Sequence, residues 1–157
     1  MEKVPNNSES REKEKVFYGG IAMLYRMRGG EREYLVVENT ETGNISFVSG
    51  AQEDTDASAE AGMQRELEEE LSVRRGEIAL TPTDVRHEFV FGPKKKERAG
   101  HPGSYQVFLA DVTNISDSIS HTKELRGVRW LRKDEVLDAL TFPDVKDVFL
   151  KATAISG

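Results

Sequence analysis

An amphipathic segment at residues 57–71 is the feature that most constrains the fold of this chain. Its apolar residues recur every four positions, which is the spacing of one face of an α-helix. They are Ala59, Met63, Leu67 and Leu71. Asp56 or Ser58 can cap the amino terminus of such a helix. Because a single apolar stripe must be buried against another element, we expect this helix to cover a sheet.

Short segments rich in β-forming residues lie on both sides of this helix. VFYGGIAMLYRM, EYLVVEN and ISFVSG precede it, and DVRHEFVFG, SYQVFLADV and GVRWL follow it. Two more helices are predicted, one at KDEVLDAL and one that Pro143 opens. The apolar face of the last helix contains Val145, Val148, Phe149 and Ala152. The order β-β-β-α-β-β-β-α-α indicates a mixed sheet flanked by helices, in the α/β (α+β) class.

Length and composition limit the kind of protein. A chain of 157 residues suits a single domain, expected at residues 15–157, and the polar residues 1–14 predict a disordered tail. The net charge of −6 argues against a stable nucleic-acid partner. The chain has no cysteine and no apolar stretch typical of a signal peptide or a membrane span. These features predict a cytoplasmic protein without thiolate chemistry.

The segment QRELEEELSV concentrates carboxylates on the predicted helix. At about 100° per residue, Glu66, Glu69 and Glu70 lie on one side, whereas Glu68 points away. A hard divalent cation would remove the repulsion among the three carboxylates, and Mg²⁺ prefers carboxylate oxygens. From these residues alone a solvated acidic helix stays an open alternative, because glutamate is a good helix former.

Residues 65–71, RELEEEL, resemble the central part of the Nudix hydrolase signature, in which Arg-Glu, an aliphatic residue, any residue and Glu-Glu follow one another. The signature is degenerate, because Ala51, Ala57 and Ser72 stand where it has a glycine, a glutamate and a glycine. The likeness extends through most of residues 16–154, and the closing segment is most similar to the diadenosine tetraphosphate hydrolase-like branch. This resemblance implies a Nudix-type mixed β-sheet sandwiched between helices.

The resemblance also implies an activity. The expected enzyme is a Mg²⁺-dependent pyrophosphohydrolase, with Mn²⁺ as the alternative ion, that cleaves a nucleoside diphosphate linked to another group. A dinucleoside polyphosphate such as diadenosine tetraphosphate is the leading substrate, ahead of nucleoside triphosphates and nucleotide sugars. The competing hypothesis is a Nudix-fold nucleotide-binding or regulatory module that has lost turnover, and the three changed signature positions favour it.

By the same resemblance, particular residues receive roles. Glu69 and Glu70 would be the main metal ligands, and Glu66 would be a further ligand or the general base. Arg65 would hold the carboxylates in place rather than contact the substrate. Glu124, in a later loop, would be an additional catalytic or metal-binding residue, although a solvated loop position is the alternative.

Two departures from the signature predict different consequences. Ala57 replaces a glutamate that in the family helps to anchor the loop and the arginine. Its absence would loosen the carboxylates unless Asp54 or Asp56 takes its place. Ser72 replaces a glycine at the end of the helix, where glycine favours a left-handed turn, so this change is expected to affect stability more than chemistry.

Candidate substrate contacts lie beyond the helix. The loop PKKKER places Lys94, Lys96 and Arg98 where a basic flap could engage a polyphosphate, with a solvated turn as the alternative. Tyr105 is a candidate for stacking on a nucleobase, although an aromatic residue on a strand often belongs to the core. The predicted partner is therefore a nucleotide or dinucleotide polyphosphate.

Overall fold

Strand β1 (Phe17–Arg28) lies at the centre of the sheet, because its middle is buried and it pairs with strands on both sides. The structure is a computed structural model that describes residues 15–93 and 96–155. The predicted disordered tail and the candidate Lys94 lie outside the described residues.

Within these residues, seven strands form one mixed sheet with three α-helices around it. The strands are β1, β2 (Glu31–Asn39), β3 (Ile45–Ser46), β4 (Val48–Ala51), β5 (Thr81–Val90), β6 (Pro102–Asp111) and β7 (Leu125–Leu131). The helices are α1 (Ala59–Leu71), α2 (Lys133–Ala139) and α3 (Pro143–Ile155), with a 3₁₀ helix at Thr113–Ser118. The sheet order is β3-β2-β1-β6-β5, with β4 paired to β1 and β7 to β2. Because β1 and β6 are parallel and the other pairs are antiparallel, the predicted mixed sheet is confirmed.

The single strand predicted at ISFVSG is wrong, because the structure has two strands there. Ser46 of β3 pairs with Val37 of β2, whereas Gly50 of β4 pairs with Gly20 of β1. The chain therefore changes partner at Phe47, whose side chain is buried and stacks on Phe149 at 5.4 Å between ring centroids. Apart from this division, the observed order of elements follows the predicted order.

The helices cover both faces of the sheet, since successive residues of β1 point in opposite directions. Ala22 and Leu24 belong to the core under α1, whereas Ile21 and Met23 belong to the core under α3. The buried helix side chains are Met63, Leu67 and Leu71 on α1, and Val145, Val148, Phe149 and Ala152 on α3. Both predicted stripes are therefore confirmed, although Ala59 is only half-buried. None of the helices in the described ranges has the length and apolar character needed to cross a bilayer.

Candidate active site

Helix α1 places carboxylates on the wall of a cavity of about 1020 Å³. The helix begins at Ala59 because the Ser58 hydroxyl oxygen accepts a hydrogen bond from the N–H of Ala61 at 3.1 Å. Of the two predicted caps, Ser58 is the one used. The carboxylates that line the cavity are Glu53, Glu66, Glu69, Glu70, Glu124 and Asp144. This set contains all four glutamates that sequence analysis assigned to the site, and Glu68 is not in it.

Arg65 connects the carboxylates of α1 to one another. Its side chain is only 14% exposed, and Nη1 lies 3.4 Å from Glu66 Oε2 and 3.4 Å from Glu69 Oε1. The same nitrogen lies 3.7 Å from Glu53 Oε2, on the loop before the helix. Nη2 donates to the carbonyl oxygen of Ala51 at 3.4 Å, which ties the helix to the end of β4. One guanidinium thus contacts three carboxylates of the cavity wall.

Asp56 makes the shortest contacts with this guanidinium. Arg65 Nε donates to Asp56 Oδ1 at 3.1 Å, and Nη2 donates to Oδ2 at 3.0 Å. The hydrogen bond lowers the pKa of the Asp56 carboxyl and raises the pKa of Arg65. Ala57 is exposed, and so is Asp54, the other acid considered for this place. The acid beside Arg65 is therefore Asp56, one position before the changed signature residue.

Glu66 packs against the backbone of β4 because Gly50 has no side chain. A Cβ added at Gly50 would collide with the Glu66 carboxylate. The glutamate side chain is 17% exposed, so it is held between strand and helix rather than extended into solvent. Gly50 thus sets how closely the carboxylate can approach the sheet.

Glu66 and Glu70 are neighbours one helical turn apart on α1, and each carboxyl affects the pKa of the other. Burial raises the pKa of Glu66. Burial, together with the neighbouring Glu66 carboxyl, raises the pKa of Glu70 to about 8. Two half-buried carboxyls can share a proton at neutral pH, since ionising both would leave like charges side by side. A divalent cation could take the place of that proton.

Glu124 reaches this cluster because its loop packs on the end of α1. The N–H of Ser120 donates to the carbonyl oxygen of Leu71 at 3.3 Å, and the N–H of Thr122 donates to that of Glu70 at 3.1 Å. These bonds satisfy helix-terminal carbonyls that have no partner within the helix. Besides burial, the charge of Glu124 contributes to the raised pKa of Glu70.

The described side chains do not converge as the ligands of one ion. In the part of the chain that the structure describes, no group of three histidine or carboxylate side chains is close enough to hold a metal ion. Instead, Arg65 donates to Glu66 and Glu69, both at 3.4 Å. The chemistry of the donor set nevertheless fits Mg²⁺ or Mn²⁺, which favour carboxylate oxygens.

Arg98 lines the cavity, whereas Lys96, the other described lysine or arginine of PKKKER, does not. Its guanidinium lies 5.7 Å from the ring centroids of both Phe17 and Phe91. Within residues 15–93 and 96–155, no carboxylate forms an ion pair with it. Lys96 is exposed and is not among the residues that line the cavity, and Lys94 lies outside the described residues. Sequence analysis named Arg98 with Lys94 and Lys96 as a cation of the basic flap, and Arg98 lines the cavity whereas Lys96 does not.

Aromatic residues also line the cavity. Tyr105 is 6% exposed, packs edge-on against Phe89 at 4.9 Å, and has a pKa raised to about 12 by burial. His87 stacks on Phe89 at 4.9 Å and lies 2.7 Å from Asp144. Phe142, at the start of the last helix, is 43% exposed. Sequence analysis missed Asp144 because its partner is 57 positions away and no local pattern marks the contact.

Solved structures with this fold are similar to the chain over nearly its full length. The Caenorhabditis elegans Ap4A hydrolase binary complex has a TM-score of 0.72 and 17% identity, covering 89% of this chain and 96% of that chain. Escherichia coli dihydroneopterin triphosphate pyrophosphohydrolase has a TM-score of 0.70 and 15% identity, covering 87% of this chain and 92% of that chain. The NUDIX domain of Shewanella oneidensis NrtR complexed with ADP ribose has a TM-score of 0.63 and 14% identity, covering 99% of each chain.

The sequence itself matches a family model. The model is described as NUDIX domain, and the match covers residues 19–152. This range includes α1, α2, most of α3 and all seven strands, apart from the first two residues of β1. No curated protein matches the chain. The chain therefore belongs to the NUDIX domain family, and this membership supports the predicted hydrolase of phosphoric anhydride bonds.

Proposed function

We propose that the protein is a Mg²⁺-dependent pyrophosphohydrolase that cleaves a nucleoside diphosphate linked to another group. The observation that carries this proposal is the carboxylate cluster of α1. Glu66, Glu69 and Glu70 line the cavity together there, and Arg65 contacts Glu66 and Glu69 at 3.4 Å. The cluster faces a cavity of about 1020 Å³, so an ion held by it would lie beside a bound substrate.

The charge of the cavity supports dependence on a cation. The described lining residues include six carboxylate side chains, named above, but only the guanidiniums of Arg65 and Arg98 as permanent positive charges. A polyphosphate would be repelled from this wall unless divalent cations reversed the local sign. Mg²⁺ suits this task because it keeps waters and open positions for phosphate oxygens, and Mn²⁺ is the alternative ion.

In the proposed reaction, Glu69 and Glu70 would be the main ligands of the ion. Glu66 would be a further ligand or the general base that accepts a proton from the attacking water, and Glu124 would add a fourth carboxylate. When bound, the ion would neutralise phosphate charge and lower the pKa of water. Arg65 acts on the carboxylates rather than on the substrate, since its donors are directed at the chain itself. Water attacks a phosphorus, and a phosphate leaves.

The cavity supports a large substrate. Its volume of about 1020 Å³ is at the upper end of the range of small-molecule sites, about 300–1,000 Å³. A dinucleoside polyphosphate such as diadenosine tetraphosphate is therefore the leading candidate, and the likeness to the Ap4A hydrolase agrees with it. Nucleoside triphosphates and nucleotide sugars are the next candidates. Tyr105 and Arg98 are the proposed contacts with this substrate, in a cytoplasmic setting.

The second candidate function is a nucleotide-binding or regulatory module without turnover. The changed residues Ala51, Ala57 and Ser72 favour it, and the similar NrtR domain is complexed with ADP ribose. The contact between Asp56 and Arg65 favours the enzyme, because it gives the guanidinium a buried acid partner despite the change at Ala57.

The experiment that distinguishes these functions is release of phosphate or nucleotide from a substrate panel. The panel contains diadenosine tetraphosphate, nucleoside triphosphates, ADP-ribose and nucleotide sugars, each with Mg²⁺, Mn²⁺ or EDTA. We expect metal-dependent cleavage that Glu70→Gln abolishes. Glu68→Gln is the matched control, because Glu68 lies on the same helix, is 52% exposed and does not line the cavity. Binding without cleavage of any compound would support the module instead.

A further inference from the structure

We propose that Asp56 is the positioning residue of this site, and that it keeps the α1 carboxylates available to a cation by holding Arg65. The inference rests on the proposed function, because it concerns the metal affinity of the same cluster. It extends that function by assigning a positioning role to Asp56 rather than to Asp54, a choice that the sequence left open.

The first observation is the geometry of the Asp56–Arg65 pair. Two different donors of the guanidinium reach two different oxygens of the carboxylate, at 3.1 and 3.0 Å. The Asp56 side chain is 4% exposed, and the Arg65 side chain is 14% exposed. A two-point, desolvated pair of this kind fixes orientation as well as distance.

The second observation is that hydrogen bonds within the loop hold Asp56 in place independently of Arg65. Asp56 Oδ2 accepts a hydrogen bond from the N–H of Glu53 at 2.8 Å, and the N–H of Asp56 donates to the Glu53 carbonyl oxygen at 2.9 Å. The side chain of Gln52 donates to the carbonyl oxygen of Asp56 at 3.4 Å. The carboxylate is therefore presented from a closed turn.

The third observation is independent of both and lies on the helix. Gly62 occupies the interior of α1, where glycine costs about 1 kcal/mol relative to alanine. A Cβ added there would stand 2.9 Å from Asp56 Oδ2, too close to be tolerated without a shift. The helix thus contains an unfavourable residue at the position where a side chain would displace the Asp56 carboxylate.

Asp56 determines which donors of the Arg65 guanidinium remain for the carboxylates of α1. Asp56 takes Nε and shares Nη2 with the Ala51 carbonyl, so Nη1 alone faces Glu66 and Glu69, at 3.4 Å. Without Asp56, the guanidinium would turn its free donors toward these two carboxylates and compete with a cation for their oxygens. Removing such an outer partner typically weakens metal affinity about 10- to 100-fold.

The test is calorimetric titration of Mn²⁺ into the full chain, with three variants. Asp56→Asn should weaken Mn²⁺ binding about tenfold or more. Asp54→Asn removes the same charge from the same loop at an exposed position and should bind as the wild type does. Gly62→Ala should also weaken binding, although alanine is the better helix former, and it should add no further loss to Asp56→Asn.

A second measurement needs no metal. We expect the Arg65 Nε–H to exchange slowly with solvent in ¹⁵N NMR spectra of the wild type and of Asp54→Asn, and to lose this protection in Asp56→Asn and Gly62→Ala. Unchanged Mn²⁺ affinity in Asp56→Asn, or an equal loss in Asp54→Asn, overturns the inference. If Asp56→Asn does not fold, unchanged affinity and protection in Gly62→Ala overturn it. A wild type that binds no Mn²⁺ would instead contradict the proposed function, while the Arg65 signal still tests the positioning.

Discussion

His87 and Asp144 join the sheet to the last helix through one short hydrogen bond. His87 Nε2 lies 2.7 Å from Asp144 Oδ2, so a residue of β5 is bound to the first turn of α3. The His87 side chain is 12% exposed, whereas the Asp144 side chain is 57% exposed. Both residues line the cavity, so this contact fixes the spacing of two of its walls.

Asp144→Asn should reduce stability at neutral pH and remove part of its acid dependence. The hydrogen bond from His87 lowers the pKa of Asp144, so this contribution is present above the unfolded carboxyl pKa of about 3.9 and is lost as pH falls below it. Because Asp144 is largely exposed, we expect the substitution to lower the free energy of unfolding at pH 7 by only about 0.5–1 kcal/mol. Urea unfolding at pH 7 and pH 3 measures it. Asp147→Asn, an exposed change on the same helix, should alter neither value by a comparable amount.

Local periodicity was enough to predict the helices and most strands. The helix predicted at residues 57–71 is observed at Ala59–Leu71, because its stripe repeats with the helical period and Ser58 caps it. The parallel pairing of β1 with β6 could not be predicted in this way. It joins Phe17 to Gly103 across most of the chain, and a period within one strand carries no information about its partner.

Helical spacing predicts only those members of the candidate site that lie on one helix, whereas Glu124 was named from the family resemblance. The grouping of Glu66, Glu69 and Glu70 follows from helical spacing alone. The approach of Glu124 depends on a loop packed against the end of α1, and the role proposed for Asp56 depends on a gap left by a glycine. Such contacts are set by tertiary packing, so a wheel diagram cannot identify them.

The metal-free protein should lose stability as pH rises from about 4.5 to about 8. Burial and the neighbouring Glu66 carboxyl raise the pKa of Glu70 to about 8, so the folded state holds a proton that the unfolded chain releases near 4.5. Urea unfolding in EDTA across this range measures the decline. Glu70→Gln should flatten it, whereas Glu68→Gln should leave it unchanged, and added Mg²⁺ should stabilise the wild type at the upper end. An equal decline in both variants would contradict the assignment to Glu70.

Arg98→Ala should raise KM for a polyphosphate substrate with a smaller effect on kcat. The guanidinium lines the cavity beside Phe91, and no described carboxylate neutralises it, so it is available for a phosphate. One charge-assisted hydrogen bond is worth about 1.5–3 kcal/mol, which corresponds to roughly a 10- to 150-fold change. Steady-state kinetics with diadenosine tetraphosphate measures it. Lys96→Ala, from the same loop, is the control, and an equal effect there would mean that the loop acts only by its overall charge.

Ser72→Gly should stabilise the protein by about 1 kcal/mol without changing kcat. Ser72 ends α1 in the left-handed conformation, with φ 60° and ψ 28°, and its N–H donates to the Glu68 carbonyl oxygen at 3.2 Å. Every residue with a Cβ is strained there, whereas glycine is not, so the departure from the family signature affects the helix end rather than the chemistry. Thermal and urea unfolding measure the gain. Ser72→Ala keeps the Cβ and removes only the hydroxyl, so it should bring no gain, and equal stability of the two variants would show that the backbone conformation is not the cause.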